Sequence, residues 1–296
     1  MDKIDINLHN ILRSRIKGWK GRMIPGFMIT GLEKLVHQDE LNAALDATYP
    51  STGSEFCERI YDFFNVTLEV EGLENIPEHG RFIFASNHPL GGLDGMGLIK
   101  VLGAKYGDEN IQFLVNDMLM NVIPLRTVFL PINKYGSQAR EAAVAIRDAY
   151  ASDNQILIFP AGMVSRIQPD GSIGDLVWHK SFIDRAIEFH RDIIPIHFEG
   201  LNRMSFYRTA KARTKMGIKV NMEQALLPAE LCAARGKTFR VRFGKPISWQ
   251  SLEKSGEPHA LLASKLRRLV HSRLTDYSGI APMPASSDTT SNSEQK

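Results

Sequence analysis

The chain has 296 residues, 43% hydrophobic and 23% charged, with a net charge of +3. That is enough to bury one large core, and it excludes a disordered chain or a membrane-spanning bundle. Cys57 and Cys232 stand far apart in no ligand spacing, which argues against a disulfide framework or a zinc site (no metal is expected) and for a reducing compartment. No apolar run reaches the roughly 18 residues of a spanning helix, and the start lacks a signal-peptide core. The expectation is a cytoplasmic protein that does not cross the membrane.

In chain order, Ile4, Leu8, Ile11, Leu12, Ile16 and Trp19 recur at helical spacing, with Arg13, Arg15, Lys17, Lys20 and Arg22 opposite them. With Lys3, six basic residues face only Asp2 and Asp5 in the first 22, so this segment carries +4 and the rest of the chain −1. Such a helix suits an anionic membrane surface, on the inner face of the cell membrane; packing of the same face on the core is the equal alternative. Nucleic acid is not expected, because the basic residues do not spread and no binding motif accompanies them. Helices at about 31–47 and 54–64 complete an N-terminal helical, membrane-contact region, residues 1–64.

From 65 to 278 short apolar strands alternate with helices. Strands are expected at 66–70, 81–85, 111–115, 128–133, 155–159 and 193–198, with helices at about 94–105, 137–151 and 179–190. This alternation predicts an α/β fold, a mixed and largely parallel sheet covered by helices, with ligands beyond the carboxyl ends of its strands. Past residue 200 the pattern weakens. Residues 238–243 alternate with period two, as an edge or half-exposed strand, and 257–276 read as an amphipathic helix. Residues 279–296, rich in Pro, Ser and Thr, are expected to be a disordered tail.

The strand at 81–85 runs into Ser86-Asn87-His88-Pro89-Leu90-Gly91-Gly92-Leu93-Asp94-Gly95-Met96-Gly97. An imidazole at a strand end, with a carboxylate a few residues on and glycines between, is what a general base needs to take a proton from a hydroxyl. As a lone signal, a strand-end histidine is more often an ordinary loop residue. Read instead as a dinucleotide loop of an oxidoreductase, the less favoured alternative, the glycines fit weakly, because the third would fall at Lys100. Neither a Gly-x-Ser-x-Gly elbow nor a His-Glu-x-x-His helix is present. A second strand, 155–159, ends in Phe159-Pro160-Ala161-Gly162, with Arg166 close behind.

Together these segments resemble the glycerolipid acyltransferases, the family of the lysophosphatidic acid acyltransferases, over about residues 65–245. That family carries Asn-His, four residues, then Asp, and later Phe-Pro-Glu-Gly followed by Thr-Arg-Ser. The strand 128–134, ending in Lys134 where the family has arginine, and Ile193-Ile194-Pro195-Ile196-His197 extend the resemblance. Five residues separate His88 from Asp94, which the Gly91-Gly92 pair can absorb. Ala161 replaces the family glutamate, and the arginine sits later. His-Pro-x-Gly-Gly together with Phe-Pro-Ala-Gly looks like the branch that O-acylates lyso-glycine or lyso-ornithine lipids.

The resemblance implies an O-acyltransferase of membrane lipid synthesis that needs no cofactor. Its donor would be an acyl carrier protein or CoA thioester and its acceptor a lyso-lipid. The alternative is 1-acylglycerol-3-phosphate acylation; a non-catalytic membrane-binding protein is a further reading. His88, oriented by Asp94, is the expected base, and an Asp94→Asn change should be milder than loss of the histidine. Asn87, Gly91, Gly92, Lys134, Pro160, Gly162 and Arg166 are the expected substrate-binding residues. Arg166 and Lys134 are the candidates for an acceptor carboxylate or phosphate, and backbone amides at Gly91, Gly92 or Gly162 for the oxyanion. Met96, Met118, Leu119 and Met120 are candidates for an acyl groove, although core packing is the commoner use of such residues.

Overall fold

The computed structural model describes residues 5–8, 26–132, 139–218 and 221–280. Three helices come first: α1 (Gly26–Leu35), α2 (Gln38–Thr48) and α3 (Gly53–Phe63). The first two were expected as one helix. His37 separates them, with a left-handed φ of 56° that a continuous helix cannot accommodate. Most of the basic amphipathic segment, Lys134 and the tail from 281 onward lie outside the described residues.

The sheet is built from β1 (Thr67–Glu71), β2 (Phe82–Ser86), β3 (Ile111–Asn116), β4 (Phe129–Ile132), β5 (Gln155–Ile158), β8 (Asp192–Phe198) and β9 (Thr238–Phe243). A hairpin of β6 (Arg166–Ile167) and β7 (Ile173–Gly174) stands apart from it. Strand order is β1-β9-β8-β2-β5-β3-β4. Strands β8, β2, β5, β3 and β4 run parallel, and β9 joins antiparallel to β8, bringing β1 with it. The expected mixed, largely parallel sheet is therefore present. β9 is half-exposed as expected, but it is an interior strand with a partner on each side.

Side chains of β2 are buried on both faces, as its unbroken apolar run requires. Phe82 and Phe84 belong to one apolar cluster; Ile83 and Ala85 belong to another. The first lies under α3, α4 (Gly92–Tyr106) and α8 (Leu227–Ala233). The second lies under α5 (Ala139–Ala151), α6 (Ser181–Glu188), α9 (Trp249–Lys254) and α10 (His259–His271). The product is a helix–sheet–helix sandwich. Phe56, Ile60 and Tyr61 place α3 in the first cluster, across the sequence boundary drawn at residue 64, and Ile280 is buried in the second.

Helix α4 sits close to the sheet because it is glycine-rich. A Cβ at Gly97 would come within 2.4 Å of the Tyr61 hydroxyl, which itself donates to the Leu93 carbonyl at 2.8 Å. This glycine is there for packing. Helix α7 (Met204–Lys215) gives no apolar periodicity in sequence and forms by burying only Phe206, Tyr207 and Ala210. Among the described residues, no helix is long and apolar enough to cross a membrane.

Candidate active site

β2 delivers Asn87 and His88 to the carboxyl edge of the parallel strands, and the chain turns there into α4. Gly91 makes the turn, at φ 92° and ψ −97°, in a region open to glycine and closed to side chains. A Cβ there would also meet Leu227 at 2.8 Å. The helix begins at Gly92, so Asp94 is its third residue.

The Asp94 carboxylate is fully buried. Its Oδ2 accepts from the backbone N–H of Leu90 at 2.8 Å and of Gly91 at 3.2 Å, and Oδ1 accepts from Gly95 N at 2.8 Å. The loop thus folds around the carboxylate, whose charge also faces the positive end of the helix. Oδ2 lies 3.0 Å from His88 Nδ1. That contact fixes Nδ1–H toward the carboxylate and leaves Nε2, the acceptor nitrogen, without a protein partner among the described residues. The imidazole is 15% exposed. Phe159, at the end of β5, stacks on it with centroids 3.8 Å apart and planes 18° off parallel. One face of the ring is covered, its tautomer is set and one nitrogen is open, which is the geometry of a general base.

The backbone of His88 is pinned as well. Its N–H donates to Asp175 Oδ1 at 3.2 Å, and its carbonyl accepts from Ser165 N at 2.8 Å. Asp175 is fully buried and also accepts from Ser165 Oγ at 2.6 Å and Trp178 Nε1 at 2.9 Å. Sequence reasoning missed both Phe159 as a stacking surface and Asp175 as an anchor. The aromatic before Pro160 was a signal for the first; Asp175 sits in no recognisable motif.

Several expected binding residues have other employment. Asn87 donates from Nδ2 to Phe198 O at 2.9 Å and accepts at Oδ1 from Phe198 N at 2.7 Å. Its amide extends the β2–β8 pairing. Arg166 is likewise engaged within the protein. It donates to the carbonyls of Val164 and Ser165 and to Glu223 Oε1 at 2.8 Å, with Phe206 beneath its guanidinium. Arg213 closes on the other side of Glu223, 2.8 Å from Oε2. Burial acts to raise the Glu223 carboxyl, but hydrogen bonds and the two guanidinium charges outweigh it and hold it below its usual range.

Pro160 is buried and Gly162 is exposed, at φ 66°, its N–H donating to Phe159 O at 2.9 Å. The Gly91 and Gly162 amides are thus both spoken for. Gly92, exposed at the first position of α4, has no amide partner among the described residues. Ala161 is 4% exposed and packs in the second apolar cluster with Ile158, Trp178 and Phe182. Phe159 faces the first cluster and His88, whereas the turn that follows β5 carries the side chain at 161 into the second cluster. A glutamate there would place its charge in an apolar layer. Met118 and Leu119 are exposed after β3, while Met96 and Met120 pack against the core.

An acyltransferase family model matches residues 15–265. The chain is 44% identical over 253 residues to a lyso-glycine lipid O-acyltransferase of Phocaeicola vulgatus, covering 86% of this chain and 90% of that one. It is 43% identical over 254 residues to the protein of the same name from Bacteroides thetaiotaomicron, covering 86% and 92%. Among solved structures it is similar to the 1-acyl-sn-glycerophosphate acyltransferase PlsC of Thermotoga maritima, with a TM-score of 0.47 and 14% identity over 87% of this chain and 91% of that one.

Proposed function

The chain belongs to the acyltransferase family, and we propose that it moves a fatty acyl group from a carrier-protein or CoA thioester to the hydroxyl of a lyso-glycine lipid. The observation that carries the chemistry is His88: Nδ1 held by a buried carboxylate, one ring face covered, Nε2 open. Nε2 takes the proton of the acceptor hydroxyl as its oxygen attacks the thioester carbonyl. The C–S bond then breaks, and the imidazolium returns the proton to the departing thiolate. Asp94 stabilises the imidazolium in between. General base catalysis of this kind contributes about 10² to 10⁴-fold. The Gly92 amide, without a partner among the described residues at the N-terminus of α4, is the candidate donor to the tetrahedral oxyanion.

The acceptor assignment rests on the two relatives and on Ala161. Position 161 is an apolar packing site here, so no carboxylate is available in that turn for the hydroxyls of a glycerol phosphate. An N-(3-hydroxyacyl)glycine brings one reactive hydroxyl on an otherwise apolar chain. Residues 65–278, with the N-terminal helices that pack into the first cluster, form the acyltransferase unit in this reading, and the basic segment 1–22 holds the protein to the inner face of the membrane.

The test is a competition. Purified protein receives N-(3-hydroxyacyl)glycine and lysophosphatidic acid together, with acyl carrier protein or CoA thioester in separate arms, and products are read by mass spectrometry. An excess of diacylated glycine lipid is expected. A clear excess of phosphatidic acid would return the protein to phospholipid synthesis.

A further inference from the structure

The segment after β8 carries a surface that this chemistry does not use. From Gly200 to Ile218 there are five basic residues and no acidic one. Arg203 is taken by Glu230 and Arg213 by Glu223. Arg208, Lys211 and Lys215 are exposed, and no acidic partner meets them among the described residues. With Met204 they fall at i, i+4, i+7 and i+11, a single stripe along α7 outside its buried Phe206–Tyr207–Ala210 face.

Large apolar side chains flank the stripe. Leu201 is 60% exposed and Met216 67%, and Met204 and Ile218 are exposed beside them. Two other loops repeat the pattern. Leu176 and Val177, the latter 80% exposed, follow Asp175, and Met118 and Leu119 follow the carboxyl end of β3. Two of these loops are bonded to the His88 turn itself. Asn202 donates to the carbonyls of Pro89 and Leu90, and Asp175 accepts from His88 N.

We propose that this face, α7 with the loops at 118–119, 176–177 and 201–204, rests on an anionic lipid surface and sets the mouth of the His88 site at the level of the lipid headgroups. It rests on the acyltransferase reading only in taking His88 as the site. Exposed apolar residues on three loops are costly in water and gain from entering the headgroup boundary, and three cations without an acidic partner among the described residues match anionic headgroups. An acidic carrier protein would meet the cations equally well. It would not use apolar residues dispersed over three separate loops, which a bilayer covers at once.

The experiment compares the wild type with Arg208→Gln/Lys211→Gln/Lys215→Gln, whose changes are all at exposed positions, and with Val177→Ser/Met216→Ser. All retain the basic segment 1–22, so any difference reads this face. Partition onto vesicles of phosphatidylcholine with phosphatidylglycerol is expected to fall roughly fivefold per cation removed, on the order of 10²-fold for the triple variant. Added salt should bring the wild type toward the triple variant, while the serine variant loses partition at every salt concentration. Acylation of vesicle-embedded acceptor should fall in parallel, with acylation of a short-chain, monodisperse acceptor unchanged. Wild-type partition by the triple variant would overturn the proposal. So would normal partition together with slower transfer from the carrier-protein thioester alone, which would make the face a protein dock. Failure of the wild type to acylate the monodisperse acceptor would refute the catalytic reading instead, and the vesicle data would still decide this one.

Discussion

Two constellations in this molecule use the same ingredients to opposite ends. In each, a fully buried carboxylate meets a cationic or basic partner: Asp94 with His88, and Glu223 with Arg166 and Arg213. Asp94 takes three backbone N–H groups and one ring nitrogen, so its partner is oriented on one side and open on the other. Glu223 has a guanidinium on each oxygen, and Arg166 is further consumed by two carbonyls. The first arrangement can exchange a proton with a ligand. The second ties the β6–β7 hairpin to α7. A buried acid–base pair therefore acquires function from the valence it leaves unfilled.

That contrast can be broken from either side. Short of removing His88 itself, the largest effect is expected at Asp94→Asn. An amide oxygen in the place of Oδ2 can still accept from the ring, Leu90 N and Gly91 N, but the NH2 then meets the Gly95 N–H, and each buried unpaired donor costs about 1–3 kcal/mol. Turnover should fall more than about 10²-fold with a lowered melting temperature, so this is not the mild lesion that the ring contact alone suggests. A variant with near wild-type kcat would detach Asp94 from the chemistry.

Glu223→Ala should act on stability instead. Removing the acid leaves two buried guanidiniums facing each other, and denaturant titration should read a loss of about 3–5 kcal/mol. Turnover per folded molecule should remain near wild type. A catalytic defect without loss of stability would reopen Arg166 as a substrate ligand.

Next comes pH. Burial pushes His197 down to about 4, and His271 is depressed for the same reason. Glu199, His271 and Arg242 also act on His197, with burial the largest influence. A histidine depressed in the fold binds fewer protons than the unfolded chain. Its contribution is therefore complete above pH 6.5 and is lost as pH falls from there toward 4. His197 alone should account for about 3 kcal/mol over that window. His197→Gln should flatten the stability profile there, and an unchanged profile would place the acid sensitivity elsewhere.

The smallest effect is expected at Asp175→Asn. It keeps an oxygen for His88 N and Ser165 but turns an amide toward the Trp178 N–H, at a cost of about 1–3 kcal/mol. Because Asp175 acts through the His88 backbone, kcat should drop about tenfold with KM little changed. A change confined to KM would make it a substrate contact.

The helix–sheet sandwich and the His88–Asp94 pair were legible because local pattern encodes them. β2 is an unbroken apolar run, and the glycines after it announce a turn that re-aims a carboxylate. What sequence missed depends on distant partners. Arg166 looks like an anion ligand until Glu223, fifty-seven residues on, closes over it. Asn87 looks like part of a site until Phe198 takes both ends of its amide. Helix α7 has no apolar period because only three of its residues are buried. The break at His37 is a single backbone angle, and nothing in its neighbours requires it.

The most direct test of the central claim is turnover of His88→Ala, with carrier-protein thioester and N-(3-hydroxyacyl)glycine, normalised to folded protein. The ring touches solvent, a Phe159 face and Asp94 Oδ2, which keeps two backbone N–H donors without it, so the variant should fold, with a small decrease in melting temperature from the lost stack and hydrogen bond. Loss of more than about 10²-fold in turnover is predicted, with acceptor affinity retained. Wild-type turnover in a folded His88→Ala protein would contradict the account.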